Sequence, residues 1–180
     1  GRALSRLGIS ADALTLAGLL SSAGCAVAVG AGYIGLGVAL LVVTGLADLL
    51  DGPVAQARGT SSDRGTFFDS TADRASDALV LGGIAWYLAG EEGARWAVLP
   101  MAVLAVSSLI SYQRAKAELL GFEARGGLME RAERTVVLAV AVAFDVLLLP
   151  LLWVLLALSV VTAVHRFAKV WAQAGRRLRR

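Results

Sequence analysis

Long apolar runs recur from one end of this chain to the other, and they leave few folds open to it. A bilayer crossing needs about 20 mostly apolar residues. Runs of that order can be drawn at residues 11–29, 33–57, 66–88, 96–119, 131–148 and 151–171. Overall 57% of the 180 residues are hydrophobic, more than a soluble domain of this length carries. The expected fold is therefore all-α: a polytopic membrane protein of six transmembrane helices. Residues 1–8, with Arg2 and Arg6, are expected to form a short juxtamembrane helix ahead of the first span. Residues 1–180 read as one membrane domain, with no cleavable leader, because the runs do not stop after the first. Pro150 is expected to mark a tight turn between the last two spans. The single cysteine, Cys25, lies inside an apolar run, so it has no intrachain disulfide partner.

Basic residues set the orientation. Six spans put both termini on one side, and that side collects most of the Lys and Arg. Arg2 and Arg6 precede the first span, and Arg58 and Arg64 join the second to the third. Arg114, Lys116, Arg125, Arg131 and Arg134 surround the fourth-to-fifth connection. Arg166, Lys169 and the basic C-terminal tail complete the set. The opposite side has the loop from Gly90 to Arg95, with Glu91 and Glu92 and a single Arg. Both termini are therefore expected in the cytoplasm, with the protein in the cell membrane.

Four aspartates interrupt this apolar chain. Asp48 and Asp51 are three residues apart, on one face of one helix; Asp69 and Asp73 are four apart, on one face of the next. A charge at the bilayer centre costs about 2.5–3.5 kcal/mol on insertion scales. Four like charges also repel, so something must compensate them. The segment from Arg58 to Arg64 is short and polar, which makes the two helices expected antiparallel neighbours with their carboxylates facing. Convergent carboxylates suit hard divalent cations, Mg²⁺ or Mn²⁺. Four of them exceed what one ion needs beside its waters, so two ions are expected. Paired ions can clamp a phosphoryl displacement. An ion-pair network with Arg58, Arg64 and Arg74 explains neither the number nor the spacing. Gly52 and Ala55 share the face of Asp48 and Asp51. Small residues there serve either close helix packing or the approach of a ligand to the backbone. Asp77 continues the Asp69–Asp73 face by one turn, and its role stays open.

The stretch resembles the CDP-alcohol phosphotransferase family, whose pattern is D-x2-D-G-x2-A-R-x8-G-x3-D-x3-D. Asp48, Asp51, Gly52, Ala55, Gly65, Asp69 and Asp73 match it at the required spacing. Gln56 stands in the Arg slot, and Arg58 lies about 200° round a helix from it. The resemblance implies that Asp48, Asp51 and Asp69 ligate two metals, with Asp73 both touching the metals and acting as base toward the acceptor hydroxyl. It implies that Gly52, Ala55 and Gly65 border the cytidine nucleotide of the donor, CDP-diacylglycerol, and that the chain is a homodimer. Residues 10–15 resemble the family's first-span entry, where Asp12 is expected to cap the first helix.

The second half is similar to the actinobacterial phosphatidylinositol-phosphate synthases. That likeness implies that Ser111, Lys116, Arg134 and Arg166 bind inositol phosphate, with Lys116 where the subgroup usually has Arg. Independently, cations from three spans on the cytoplasmic side suit a phosphate-bearing acceptor. The expected activity is transfer of a phosphatidyl group from CDP-diacylglycerol to inositol phosphate with release of CMP. The alternatives are a phosphatidylglycerophosphate synthase, which uses glycerol 3-phosphate, and a family member inactivated at Gln56. A cation transporter is disfavoured, because the far halves of the second and third spans are almost wholly apolar. No nucleic-acid partner is expected.

Overall fold

The computed structural model describes residues 10–58, 62–124, 126 and 131–177, and the side chains of all of these but 51 and 55–58. Among the described residues there are six α-helices and no strand: α1 (Ala11–Gly30), α2 (Ile34–Arg58), α3 (Asp63–Glu91), α4 (Val98–Leu119), α5 (Arg131–Ala143) and α6 (Asp145–Arg177). A single 3₁₀ turn, Ala94–Ala97, leads into α4. The juxtamembrane helix expected before residue 9 lies outside the described residues.

Four segments are long and apolar enough to cross a bilayer: α1, the Ile34–Val54 part of α2, Ala94–Leu119, and α6. These segments mark a membrane protein. α3 has the length, at 29 residues, but its first half carries Asp63, Arg64, Asp69, Asp73, Arg74 and Asp77. α5 has only 13 residues, or about 20 Å. The fifth and sixth expected spans were divided at the wrong place. The chain bends at Phe144, and Pro150 lies inside α6. A proline this close to a helix start removes only one hydrogen bond, to the carbonyl of Val146, and a helix tolerates that near its first turns.

The chain divides into two compact units, Gly1–Ala97 and Val98–Arg180. In the first, α1 is the common support: α2 and α3 both pack against it. Serine and threonine join α1 to α2. The Ser21 hydroxyl donates to the Leu40 carbonyl at 2.8 Å, and Ser22 and Thr44 share a buried hydroxyl contact at 3.3 Å. Small residues close the rest. A Cβ on Gly18 would stand 3.2 Å from the Cβ of Ala47, and one on Gly83 would stand 2.5 Å from the Cα of Ala26. Such close approach lets helices associate where lipid offers no hydrophobic drive. In the second unit, α4 and α5 each pack against α6.

The expected direct pairing of α2 with α3 is not the main contact of either. Among the described residues each rests chiefly on α1, and neither forms an extended seam with the other. The reason lies in their packed faces. Leu41, Thr44 and Ala47 of α2 are buried, as are Ala72, Ser76, Val80 and Gly83 of α3, and these small and apolar positions fit α1. The aspartates lie beside those faces.

Candidate metal centre

Helix caps set the register of the acidic residues. Ser62 opens α3, its hydroxyl accepting from the backbone N–H of Gly65 at 3.1 Å. Ser10 opens α1 in the same way, accepting from Ala13. Asp12 is therefore not the cap. It sits in the first turn, where an acid favours the helix dipole, and its carboxylate lies 3.9 Å from where a Cβ on Gly65 would be.

On α2, Asp48 directly follows the packed Ala47, turned about 100° from it. On α3, Asp73 stands in the same relation to the buried Ala72, and Asp69 lies one turn earlier. The three aspartates are half-buried, and one carboxylate oxygen from each comes within 4.8 Å of the other two. Asp77 is half-buried but does not join this group. Arg74 contacts its neighbour Asp73 at 3.4 Å, and no ion pair among the described residues reaches Asp69.

The oxygen set fits a hard divalent cation. Mg²⁺ binds oxygen at about 2.0–2.1 Å, so ligands on opposite sides of one ion are about 4.2 Å apart. A spread of up to 4.8 Å is a few tenths of an ångström beyond that span. It also suits two ions about 3.5–4 Å apart that share carboxylates. The side chains of Asp51 and Ala55, expected here as ligand and nucleotide border, lie outside the described residues, as does that of Gln56.

Among the described residues, a Cβ on Gly52, one turn beyond Asp48, would meet nothing within 4 Å. Gly65 is half-buried and occupied with the Ser62 cap. Pro53 escaped the sequence-based expectations. Inside α2 it removes the N–H that would otherwise bond the Leu49 carbonyl, one residue past Asp48. Its place directly after Asp51-Gly52 was the available signal.

The expected acceptor residues all belong to the second unit. Ser111 is half-buried on α4 and donates to the Ser107 carbonyl at 3.1 Å. Lys116 is exposed in the last turn of α4. Arg134, in the first turns of α5, is only 4% exposed, and Arg166 on α6 only 6%. Arg166 donates from one terminal nitrogen to the Ile110 carbonyl at 2.9 Å and from the other to the Gly126 carbonyl at 3.2 Å. It is thus a backbone tether as well as a cation, which its sequence position did not reveal.

Comparison with known proteins gives the family. Residues 9–168 match the sequence profile of the CDP-alcohol phosphatidyltransferase family. The chain is 33% identical to the phosphatidylinositol phosphate synthase of Mycobacterium marinum, over 97% of its own length and 79% of the relative's. It is 36% identical to the archaetidylinositol phosphate synthase of Methanothermobacter thermautotrophicus, over 92% and 85%. Its fold is similar to the crystal structure of Mycobacterium tuberculosis phosphatidylinositol phosphate synthase with CDP-DAG bound. That match has a TM-score of 0.85 at 31% identity, covering 94% of this chain and 90% of the other. A further structure of that enzyme holds manganese and citrate, at a TM-score of 0.85 and 30% identity, covering 94% and 86%. With its aspartates gathered at one place and its relatives alike along nearly its whole length, the chain belongs to the CDP-alcohol phosphatidyltransferase family.

Proposed function

We propose that the chain is a phosphatidylinositol phosphate synthase, transferring the phosphatidyl group of CDP-diacylglycerol to inositol phosphate and releasing CMP. The observation that carries this reading is the meeting of Asp48, Asp69 and Asp73 beside the open side of Gly52. The names of its relatives direct it to this acceptor.

Asp48, Asp51, Asp69 and Asp73 hold the divalent ions, two Mg²⁺ or Mn²⁺. Bound there, such ions supply positive charge against the donor's diphosphate and the departing CMP. Gly52, Ala55 and Gly65 border the cytidine. The Asp73 carboxylate takes the proton of the acceptor hydroxyl. The freed oxygen bonds to the phosphorus carrying the diacylglycerol, and the bond from that phosphorus to CMP breaks. Ser111, Lys116, Arg134 and Arg166 hold the acceptor's phosphate. A guanidinium fixed by backbone carbonyls, as Arg166 is, meets a phosphate with little further loss of side-chain freedom.

The same reading treats residues 1–180 as one catalytic domain in the cell membrane, acting as a homodimer. α3 and α5 supply two crossings beyond the four helices of span length. For the short α5, Arg131 reaching toward the interface shortens the gap. Both termini face the cytoplasm, which the distribution of Lys and Arg supports.

The test is purified protein with Mg²⁺, CDP-diacylglycerol and inositol phosphate. CMP and phosphatidylinositol phosphate are expected, and Asp73→Asn is expected to stop both. Turnover with glycerol 3-phosphate but not inositol phosphate would replace the acceptor named here. CMP release that survives Asp73→Asn would remove that residue as base.

A further inference from the structure

α6 is longer than a crossing requires. Its 33 residues span about 50 Å, against a hydrocarbon core of about 30 Å. Three of its residues, Arg166, Gln173 and Arg177, follow one another at seven and then four positions, within about 20° of a single line along the helix. All three bond to backbone between Ile110 and Gly126, in α4 and the connection that follows it.

Gln173 makes the most selective contact. Its Oε1 accepts from the Glu123 N–H at 3.0 Å, and its Nε2 donates to the Glu123 carbonyl at 2.7 Å. A primary amide can satisfy the donor and the acceptor of one residue's backbone together; a carboxylate or a hydrocarbon cannot. Arg177 donates to the Leu120 carbonyl at 3.1 Å, and its guanidinium lies 5.5 Å from the centre of the Phe122 ring. Arg166 holds the Ile110 and Gly126 carbonyls. The segment they hold turns through Gly121 at φ +74° and Gly126 at φ +95°, a backbone region other residues adopt only at a cost. Ala124, between these anchors, is buried.

Lys116 precedes this segment in the last turn of α4, and Arg134 follows it in α5. We infer that the Arg166–Gln173–Arg177 line positions the backbone of residues 120–124 and Gly126, and through the Leu120 N–H, which donates to the Lys116 carbonyl at 3.2 Å, the acceptor-binding Lys116, so that Gln173 is a positioning residue for the phosphate-bearing acceptor. The inference rests on the acceptor chemistry proposed above. A phosphate is bound most tightly by cations already held in place, since ordering them at the moment of binding subtracts from affinity. Gln173 touches neither substrate nor metal ligand in this account. It acts through the backbone of Glu123.

The experiment compares the full chain in lipid nanodiscs with Gln173→Leu, Gln173→Glu and Gln173→Asn. Two quantities are read: steady-state constants for each substrate separately, and amide hydrogen exchange in a peptide covering residues 120–124. Gln173→Leu is expected to raise KM for inositol phosphate about five- to tenfold, the worth of one to two neutral hydrogen bonds. kcat and KM for CDP-diacylglycerol should stay within about twofold. Exchange at residues 120–124 should quicken in step. Gln173→Glu, a polar change that keeps the N–H acceptor alone, should fall between, and Gln173→Asn should recover part of the loss. An acceptor KM that stays unchanged while exchange quickens overturns the inference and leaves the proposed activity standing. Unchanged exchange in Gln173→Leu and Gln173→Glu overturns it too. A wild-type protein that turns over only glycerol 3-phosphate overturns the acceptor assignment instead, and the same comparison with that phosphate decides the inference. Turnover of neither overturns both.

Discussion

Asp48 and Asp69 bring carboxylate oxygens within 4.8 Å of one another from two helices that each lean on a third, α1, more than on each other. The arrangement separates two jobs that usually compete for the same helix face. Small residues of α2 and α3 attach them to α1, and the acidic residues beside those faces are left to meet across the space between. Two consequences for substitution follow from this division, one for the carboxylates and one for the glycines.

Asp48→Asn or Asp69→Asn keeps the size of each side chain and removes its charge. If the three carboxylates hold divalent cations, each change should weaken Mn²⁺ binding, read by calorimetry or electron paramagnetic resonance. It should cost several kcal/mol of transition-state stabilisation, or about 10³-fold in kcat/KM. The fold should survive, since relieving like-charge repulsion in the metal-free protein does not destabilise it. Unaltered Mn²⁺ affinity in both variants would mean that these oxygens are not the ligands.

Removal of the metal gives an independent reading. EDTA should abolish CMP release, and Mg²⁺ or Mn²⁺ should restore it. Ca²⁺ should restore less, because it takes 6–8 oxygens at about 2.3–2.6 Å in loose geometry, whereas clamping a phosphoryl displacement needs the smaller, near-octahedral ion. Full activity in excess chelator would contradict the centre outright.

Gly52 and Gly83 are both helical glycines, and they should respond in opposite ways. Gly52 has open space where a side chain would go. Gly52→Ala should therefore stabilise the protein by up to about 1 kcal/mol through helix propensity. A bulkier Gly52→Leu should still fold but raise KM for CDP-diacylglycerol, because it fills the space beside Asp48. A Cβ on Gly83 would stand 2.5 Å from the Cα of Ala26, and a main chain cannot rotate away. Gly83→Ala should cost about 1–3 kcal/mol of stability, as overpacking does, and lower the melting temperature. A stable Gly83→Ala would show that α1 and α3 are farther apart than described.

How much of this could be read beforehand depends on what each feature leaves in a sequence. The aspartates were legible because spacing of three and four carries the helical period directly, and few chains place such residues in apolar surroundings without use for them. The bend at Phe144 left one signal, Asp145, an acid in the first turn of α6, but the apolar residues on both sides of it read as a continuous span and Pro150 drew the boundary to itself. The openness at Gly52 was ambiguous for a different reason: a glycine that admits a neighbour and one that admits a ligand are the same letter. Arg166 illustrates the long-range case. Its partners, Ile110 and Gly126, are 56 and 40 residues away, and nothing in the local pattern points to backbone carbonyls so distant.

Gln56 offers the last test, and it bears on activity itself. The family pattern has Arg in this slot, directly after the Ala55 that would border the nucleotide. An arginine there would add a charge-assisted hydrogen bond to the donor's phosphates, worth about 1.5–3 kcal/mol, or roughly 10- to 150-fold in affinity. Gln56→Arg should therefore lower KM for CDP-diacylglycerol, while KM for inositol phosphate stays within about twofold. The native glutamine should still support measurable turnover, because the metal-holding carboxylates do not depend on it. Activity that appears only in Gln56→Arg, from a wild-type protein with none, would instead mark a chain that kept its metal centre and lost its donor contact.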